Sequence, residues 1–217
     1  MHETDKVTVA GENFLGLIGL ATDKYAILSP QFPHEGILKV PTLKTKAYGT
    51  NLIGLFCVGN SNGLLVPYFI ADSELDAITR FMKGLGVNVT RLEDKYTALG
   101  NMMACNNKGA FASTFIREYK AVEDTLGVEV VSGDVAGRTE VGAYVVATNK
   151  GFLAHPDAEG RLGHIAEALK VKGMVGTVNC GVPFVKAGII ANSNGYLTGG
   201  LTTGIEMQRI DDALGFV

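Results

Sequence analysis

The stretch GNSNGLLVP, residues 59–67, follows the apolar run FCV and leads into LLV. Asn and Gly tolerate the positive φ angles of tight turns, so Asn-Ser-Asn-Gly between two apolar runs predicts a β-hairpin. Nearly the same phrase returns as CNNKGAFAS (105–113), TNKGFLAHP (148–156) and ANSNGYLTG (191–199). The four turn glycines, Gly63, Gly109, Gly151 and Gly195, are 46, 42 and 44 residues apart. A weaker copy, LIGLATDKYAILSP (17–30), lies upstream with Asp23-Lys24-Tyr25 at the turn, which makes five units.

Each hairpin leads into a helical pattern. In ADSELDAITRFMKGLG (71–86), Leu75, Ile78, Phe81, Met82 and Leu85 recur at three- and four-residue steps, the buried wall of a helix, with Asp72 or Ser73 as the cap. IREYKAVEDTLG, AEGRLGHIAEALK and GIEMQRIDDALG occupy the same place in later units, whereas QFPHEGILKV in the first is broken by Pro33 and Gly36 and predicts at most a vestigial helix. Short β-type runs then follow: ILKV, VNVTRL, VEVV and MVGTV. The unit reads hairpin, helix, strand, an α/β pattern. The fifth unit stops after its helix, and the chain begins with an unattached strand, KVTVAG (6–11). If that strand completes the fifth unit, the five close into a ring. An open array would need polar caps that this sequence lacks, and closure removes exposed sheet edges. The expectation is one domain spanning 1–217, a closed α/β propeller of five pseudo-symmetric hairpin-helix-strand units with helices outside.

Bulk properties narrow the function. With 19 Lys and Arg against 22 Asp and Glu the net charge is −3, which argues against a protein that coats nucleic acid by overall charge. Blades one and two carry a basic bias (Lys39, Lys44, Lys46, Arg80, Lys83, Arg91, Lys95), yet residues 1–108 are neutral in sum, so the bias reads as a solvated face. No run reaches the roughly 20 apolar residues of a membrane helix, and the opening MHETDKVTVAGE is too charged for a signal-peptide core, which predicts a cytoplasmic protein without membrane contact. Three distant cysteines, Cys57, Cys105 and Cys180, with no CxxC, argue against a disulfide scaffold or a zinc site; Cys57 and Cys105 read as small buried hydrophobes. His34 and His164 stand alone and make no metal site. GLGVNV (84–89) follows a helix rather than opening one, so it offers phosphate no helix N-terminus. No cofactor, metal or small-molecule substrate is expected.

Five blocks taken together carry a resemblance: IGLFCVGNSNGLLVP (53–67), TALGNMMACNNKGA (97–110), VGAYVVATNKGFLAHP (141–156), GTVNCGVPFVKAGIIANSNG (176–195) and TTGIEMQRIDDALG (202–215). In this order they closely resemble the translation initiation factor 6 family in its archaeal form, with similarity from about Leu17 to the C-terminus. The resemblance implies a pentein fold of five quasi-identical blades. It also implies a monomeric, non-enzymatic factor that binds the intersubunit face of the large ribosomal subunit near the sarcin-ricin loop, blocks docking of the small subunit and attends large-subunit biogenesis. The Asn of the ALGN motif, Asn101, with Leu99 and Gly100, falls in the family's ribosome-engaging region. Repeat logic adds the loops Tyr48 to Asn51 and Arg138 to Glu140, which nominates Tyr48, Asn51 and Arg138. This chain departs from the family by carrying Cys180 where a basic residue is common.

A rival expectation uses the same architecture for catalysis, since penteins include guanidine-modifying hydrolases and transferases built on a nucleophilic Cys, a His and carboxylates. Its candidates are Cys180, His155 and Asp157. Cys180 precedes the fifth hairpin instead of following a site-forming His near the chain end, no carboxylate motif suited to a guanidinium is present, and His155 before Pro156 reads as the end of a hairpin strand.

Overall fold

A computed structural model describes residues 3–33 and 36–217. Five three-stranded sheets are present among them, each built the same way. In the first, β2 (Gly19–Ala21) and β3 (Ala26–Leu28) form the hairpin and β4 (Thr42–Lys44) adds in parallel to β3. The second holds β5 (Val58–Gly59), β6 (Gly63–Pro67) and β7 (Asn88–Leu92); the third β8 (Met103–Cys105), β9 (Ala110–Ser113) and β10 (Val130–Gly133). The fourth holds β11 (Val145–Ala147), β12 (Phe152–Ala154) and β13 (Gly173–Val175). In the fifth, β14 (Ile189–Asn192) and β15 (Gly195–Gly199) form the hairpin, and the parallel strand is β1 (Glu3–Val7) from the other end of the chain. Its register pairs Glu3 with Gly195 and Val7 with Gly199, so the strand sits three residues earlier than KVTVAG implies.

Helices cross between the second and third strands as predicted. They are α2 (Asp72–Leu85), α4 (Tyr119–Leu126), α6 (Leu162–Leu169) and α8 (Gly204–Leu214). Ile78 and Met82 are buried and Leu75, Phe81 and Leu85 pack beside them, the stripe read from the sequence. Gly86, Gly127 and Gly215 end three of these helices in the left-handed conformation, where a glycine avoids the Cβ penalty, and Lys170 does so for α6. Neither Asp72 nor Ser73 caps α2. The cap position is Ala71, and Asp72 instead forms an ion pair with Arg91. Only α8 has a capping box, formed by Thr203 and Glu206.

The first unit replaces its helix by a 3-10 turn at Gly36–Leu38, and the run ILKV is not a strand. Leu38 is fully buried and its carbonyl accepts from the Asn192 and Asn194 amides, which makes it the end of the vestigial helix; the parallel strand begins after Pro41. In VEVV the strand likewise starts late, at Val130, because Val128 packs under α4.

Hydrophobic clusters lie between consecutive sheets. One joins Tyr25 and Ile27 of the first unit to Leu64, Val66, Ile78 and Met82 of the second. Another joins Val7, Ile190 and Leu197 of the fifth to Ala26, Leu28, Phe32 and Leu38 of the first. Burying a side chain of this size contributes about 1.5–3 kcal/mol.

Candidate binding surface

Ahead of each hairpin the chain makes a single helical turn: a 3-10 turn at Leu15–Leu17, then α1 (Ile53–Phe56), α3 (Leu99–Met102), α5 (Val141–Tyr144) and α7 (Val185–Gly188). Each starts with a fully buried aliphatic residue, Leu15, Ile53, Leu99, Val141 or Val185. In four of them the second residue is glycine for a steric reason. A Cβ on Gly54 would overlap the Gly16 carbonyl oxygen, one on Gly100 the Gly54 oxygen, one on Gly142 the Gly100 oxygen, and one on Gly16 the Lys186 oxygen.

A short strand separates these turns from the Asn-Gly hairpin turns, so the two sets occupy opposite ends of each sheet. At the hairpin end the repeated Asn does two jobs. Asn60 Oδ1 accepts from Asn62 and Gly63 N–H within its own turn, while its Nδ2 donates to Asn106 O (3.0 Å) and Leu126 O (2.8 Å) of the next unit. Asn106 repeats this on Thr148 O and Leu169 O, and Asn192 on Thr22 O and Leu38 O. The first unit has no such Asn; there the Tyr25 hydroxyl donates to Gly63 O (3.1 Å).

The other end presents the loops that join one unit to the next. Four are tight turns closed by paired bridges, Val9–Glu12, Ala47–Thr50, Val135–Arg138 and Val178–Val182. Their tips hold positive φ at Ala10-Gly11, Tyr48-Gly49, Ala136-Gly137 and Asn179-Cys180-Gly181. Carboxylates from below fasten three tips by their backbone N–H groups. Glu74 accepts from Tyr48 (2.6 Å) and Gly49 (2.8 Å), Asp134 from Gly137, and Glu206 from Cys180 (3.1 Å) and Gly181 (2.8 Å). In the remaining loop Asp94 accepts from Tyr96, Arg117 and Glu118 N–H. Burial works against the Glu206 charge, yet donors from Thr203, Gly181, Thr177 and Cys180 outweigh it and bring its pKa down to about 2.

The nominated residues are distributed over this end. Tyr48 is 60 % exposed, its ring edge-on to Phe69 at 4.8 Å. Asn51 donates to Gln31 Oε1 and leaves its own buried Oδ1 without a hydrogen-bond partner. Asn101 is half-buried on α3, and its side-chain amide has no hydrogen bond among the described residues. Leu99 and Gly100 are buried, so they set the position of Asn101 and offer no surface of their own. Arg138 pairs with Asp157 at 2.8 Å and lies over the Tyr144 ring. Exposed Phe115 and Phe184, packed on Tyr96 and Tyr144, flank the same loops. Sequence reading nominated two of the turns and missed the family they belong to, although Gly11, Gly49, Gly137 and Gly181 fall at intervals that match the repeat.

Of the nucleophile candidates His155 and Asp157 are in contact, and no hydrogen bond joins Cys180 to either among the described residues. Cys180 is exposed at a turn tip, held only through its backbone. His155 is buried at the end of β12, where Nδ1 accepts from Asp157 N–H (3.0 Å) and the ring packs edge-on to Tyr144. Burial first, and Arg138 second, lower its pKa. His164 is exposed beside Phe111, and His34 lies outside the described residues. Cys57 is buried, and Cys105 is half-buried with its thiol donating to Gly59 O. No group of three or more potential metal ligands occurs among the described residues, and no helix there is long and apolar enough to cross a membrane.

Comparison with known proteins gives a full-length match. The model of the eIF-6 family matches residues 4–213, so the similarity includes the first strand and not only the chain from Leu17 onward. The chain is 40 % identical to translation initiation factor 6 of Pyrococcus abyssi and 37 % identical to that of Pyrococcus horikoshii, each across the whole of both chains. It is 40 % identical to translation initiation factor 6 of Methanocaldococcus jannaschii over 94 % of each.

Proposed function

Because this chain belongs to the eIF-6 family of translation factors, which are not enzymes, we propose that it is a ribosome anti-association factor. It binds the intersubunit face of the large ribosomal subunit and obstructs the small subunit sterically. The observation that carries the reading is the full-length family match joined to a set of clamped, pre-shaped loops at one end of the sheets. A steric blocker needs rigidity and a specific patch, and a mixed surface of aromatics, amides and paired charges suits a ribonucleoprotein partner better than a uniformly basic one would.

In this reading the five units close into one domain with pseudo-fivefold symmetry. The parallel pairing of β1 with β15 and the core shared by fifth- and first-unit residues support that closure. The loop-bearing end faces the ribosome near the sarcin-ricin loop, with Asn101 at its centre and Tyr48, Asn51 and Arg138 around it, Leu99 and Gly100 fixing the turn beneath. The factor acts as a cytoplasmic monomer and also attends large-subunit maturation. Gradient sedimentation with purified subunits tests the proposal: the chain travels with large subunits and not with small ones. A chain that stays at the top of the gradient in the presence of large subunits overturns it.

A further inference from the structure

The first strands of all five sheets line a common cavity of about 50 Å³, walled by Gly19–Ala21, Val58–Gly59, Met103–Cys105, Val145–Ala147 and Ile189–Ala191. One charged side chain enters it, that of Lys186. Lys186 is the second residue of α7, the position held by Gly16, Gly54, Gly100 and Gly142 in the other four units. Glycine lets the neighbouring backbones close up at those four positions, and the fifth alone carries a side chain.

Its ammonium donates to Gly16 O at 3.2 Å and to Gly54 O at 3.4 Å. An ammonium has three donors, and the third has no partner among the described residues. Nor does any carboxylate there pair with it; the ionisable groups acting on it are the thiols of Cys105 and Cys57. Burial pushes both thiols up to about 12, so they are neutral at pH 7 and supply no counter-charge. A desolvated cation without a counter-charge is costly. Burial accordingly brings the Lys186 pKa down to about 8, which leaves it mostly charged at neutral pH.

We propose that this cavity is a binding site for a small inorganic anion of halide size, held by the free donor of the Lys186 ammonium. The volume admits roughly three to five water-sized particles at about 10–15 Å³ each, enough for one monatomic ion with two or more waters. Cys57, Cys105 and first-strand residues such as Leu20, Val58 and Ile190 provide the rest of the wall, which is polar and apolar in similar measure.

Crystals of the full chain grown in bromide, with data collected at the bromine edge, test the site. The expected result is an anomalous peak in the cavity within about 3.5 Å of Lys186 Nζ, the reach of a charge-assisted contact to an ion larger than oxygen. Crystals of Lys186→Met show no peak there. In solution, replacing gluconate by bromide at constant ionic strength raises the Tm of the natural chain by about 3–6 °C at tenfold excess over Kd, and leaves Lys186→Met and Lys186→Gly unmoved. The glycine variant reproduces what four other units already carry and guards against misfolding of the methionine one. A cavity holding only water in bromide-grown crystals, or an equal bromide response in both variants, overturns the proposal.

Discussion

Replacing Asn106 by Ala tests the inter-unit latch quantitatively. The side chain is 5 % exposed and makes four hydrogen bonds: Oδ1 accepts from Lys108 N (2.8 Å) and Gly109 N (3.0 Å), and Nδ2 donates to Thr148 O (3.0 Å) and Leu169 O (2.9 Å). At about 1 kcal/mol net for each bond, and more where a buried partner is left unsatisfied, the loss is about 3–4 kcal/mol. For a chain of this size that lowers Tm by roughly 6–16 °C. Urea unfolding followed by circular dichroism, fitted with an unchanged m-value, measures it. Asn106→Thr falls between the two, because Thr148 fills the equivalent place in the fourth unit with a single hydroxyl that reaches Leu214 O. Asn107→Ala, at the exposed neighbour, is the control and costs less than about 1 kcal/mol. A loss at Asn106 no larger than at Asn107 refutes the reasoning, since the buried amide would then be turn chemistry alone.

Three further outcomes are expected. Glu206 has its folded-state pKa depressed to about 2 from an ordinary 4.5, so its contribution is complete above pH 4.5 and is lost as pH falls toward 2. Acid titration of stability shows that slope in the natural chain, about 3 kcal/mol in all, and Glu206→Gln flattens it. Asn101→Ser weakens co-sedimentation with large subunits while Tm moves by less than about 2 °C, because the amide has no hydrogen-bond partner among the described residues to lose; unchanged binding would shift the contact to another loop. Cys180→Ala leaves co-sedimentation intact, and incubation with guanidino compounds yields no product detectable by mass spectrometry.

The repeat was legible because each unit spends several residues on the same local problem. Asn and Gly at positions 60–63, 106–109 and 192–195 solve a turn, and turns are decided by nearest neighbours in sequence. The stripe of α2 was legible for the same reason, and so was the surplus strand at the N-terminus. Asn60 and Asn106 nonetheless concealed their second task, since the carbonyls they grip lie 46 and 66 residues away for Asn60, and 42 and 63 away for Asn106. The one-turn helices were illegible because four residues cannot display a 3.6-residue period. Nothing local in sequence marks Gly100 or Gly142 as a place where a neighbouring unit's carbonyl oxygen lies against the backbone. At the candidate surface the sequence pointed to Asn101 and to two loops. It did not show that Leu99 faces inward, or that Glu74 and Glu206 hold the tips, because those contacts come from helices 25 or more residues downstream.

Subunit joining measured by light scattering is the most direct check on the proposed role. Large subunits preincubated with a saturating amount of this protein should give no rise in scattering when small subunits are added, and the Asn101→Ser form should restore part of the signal. A full rise with the natural protein bound to every large subunit would contradict the account.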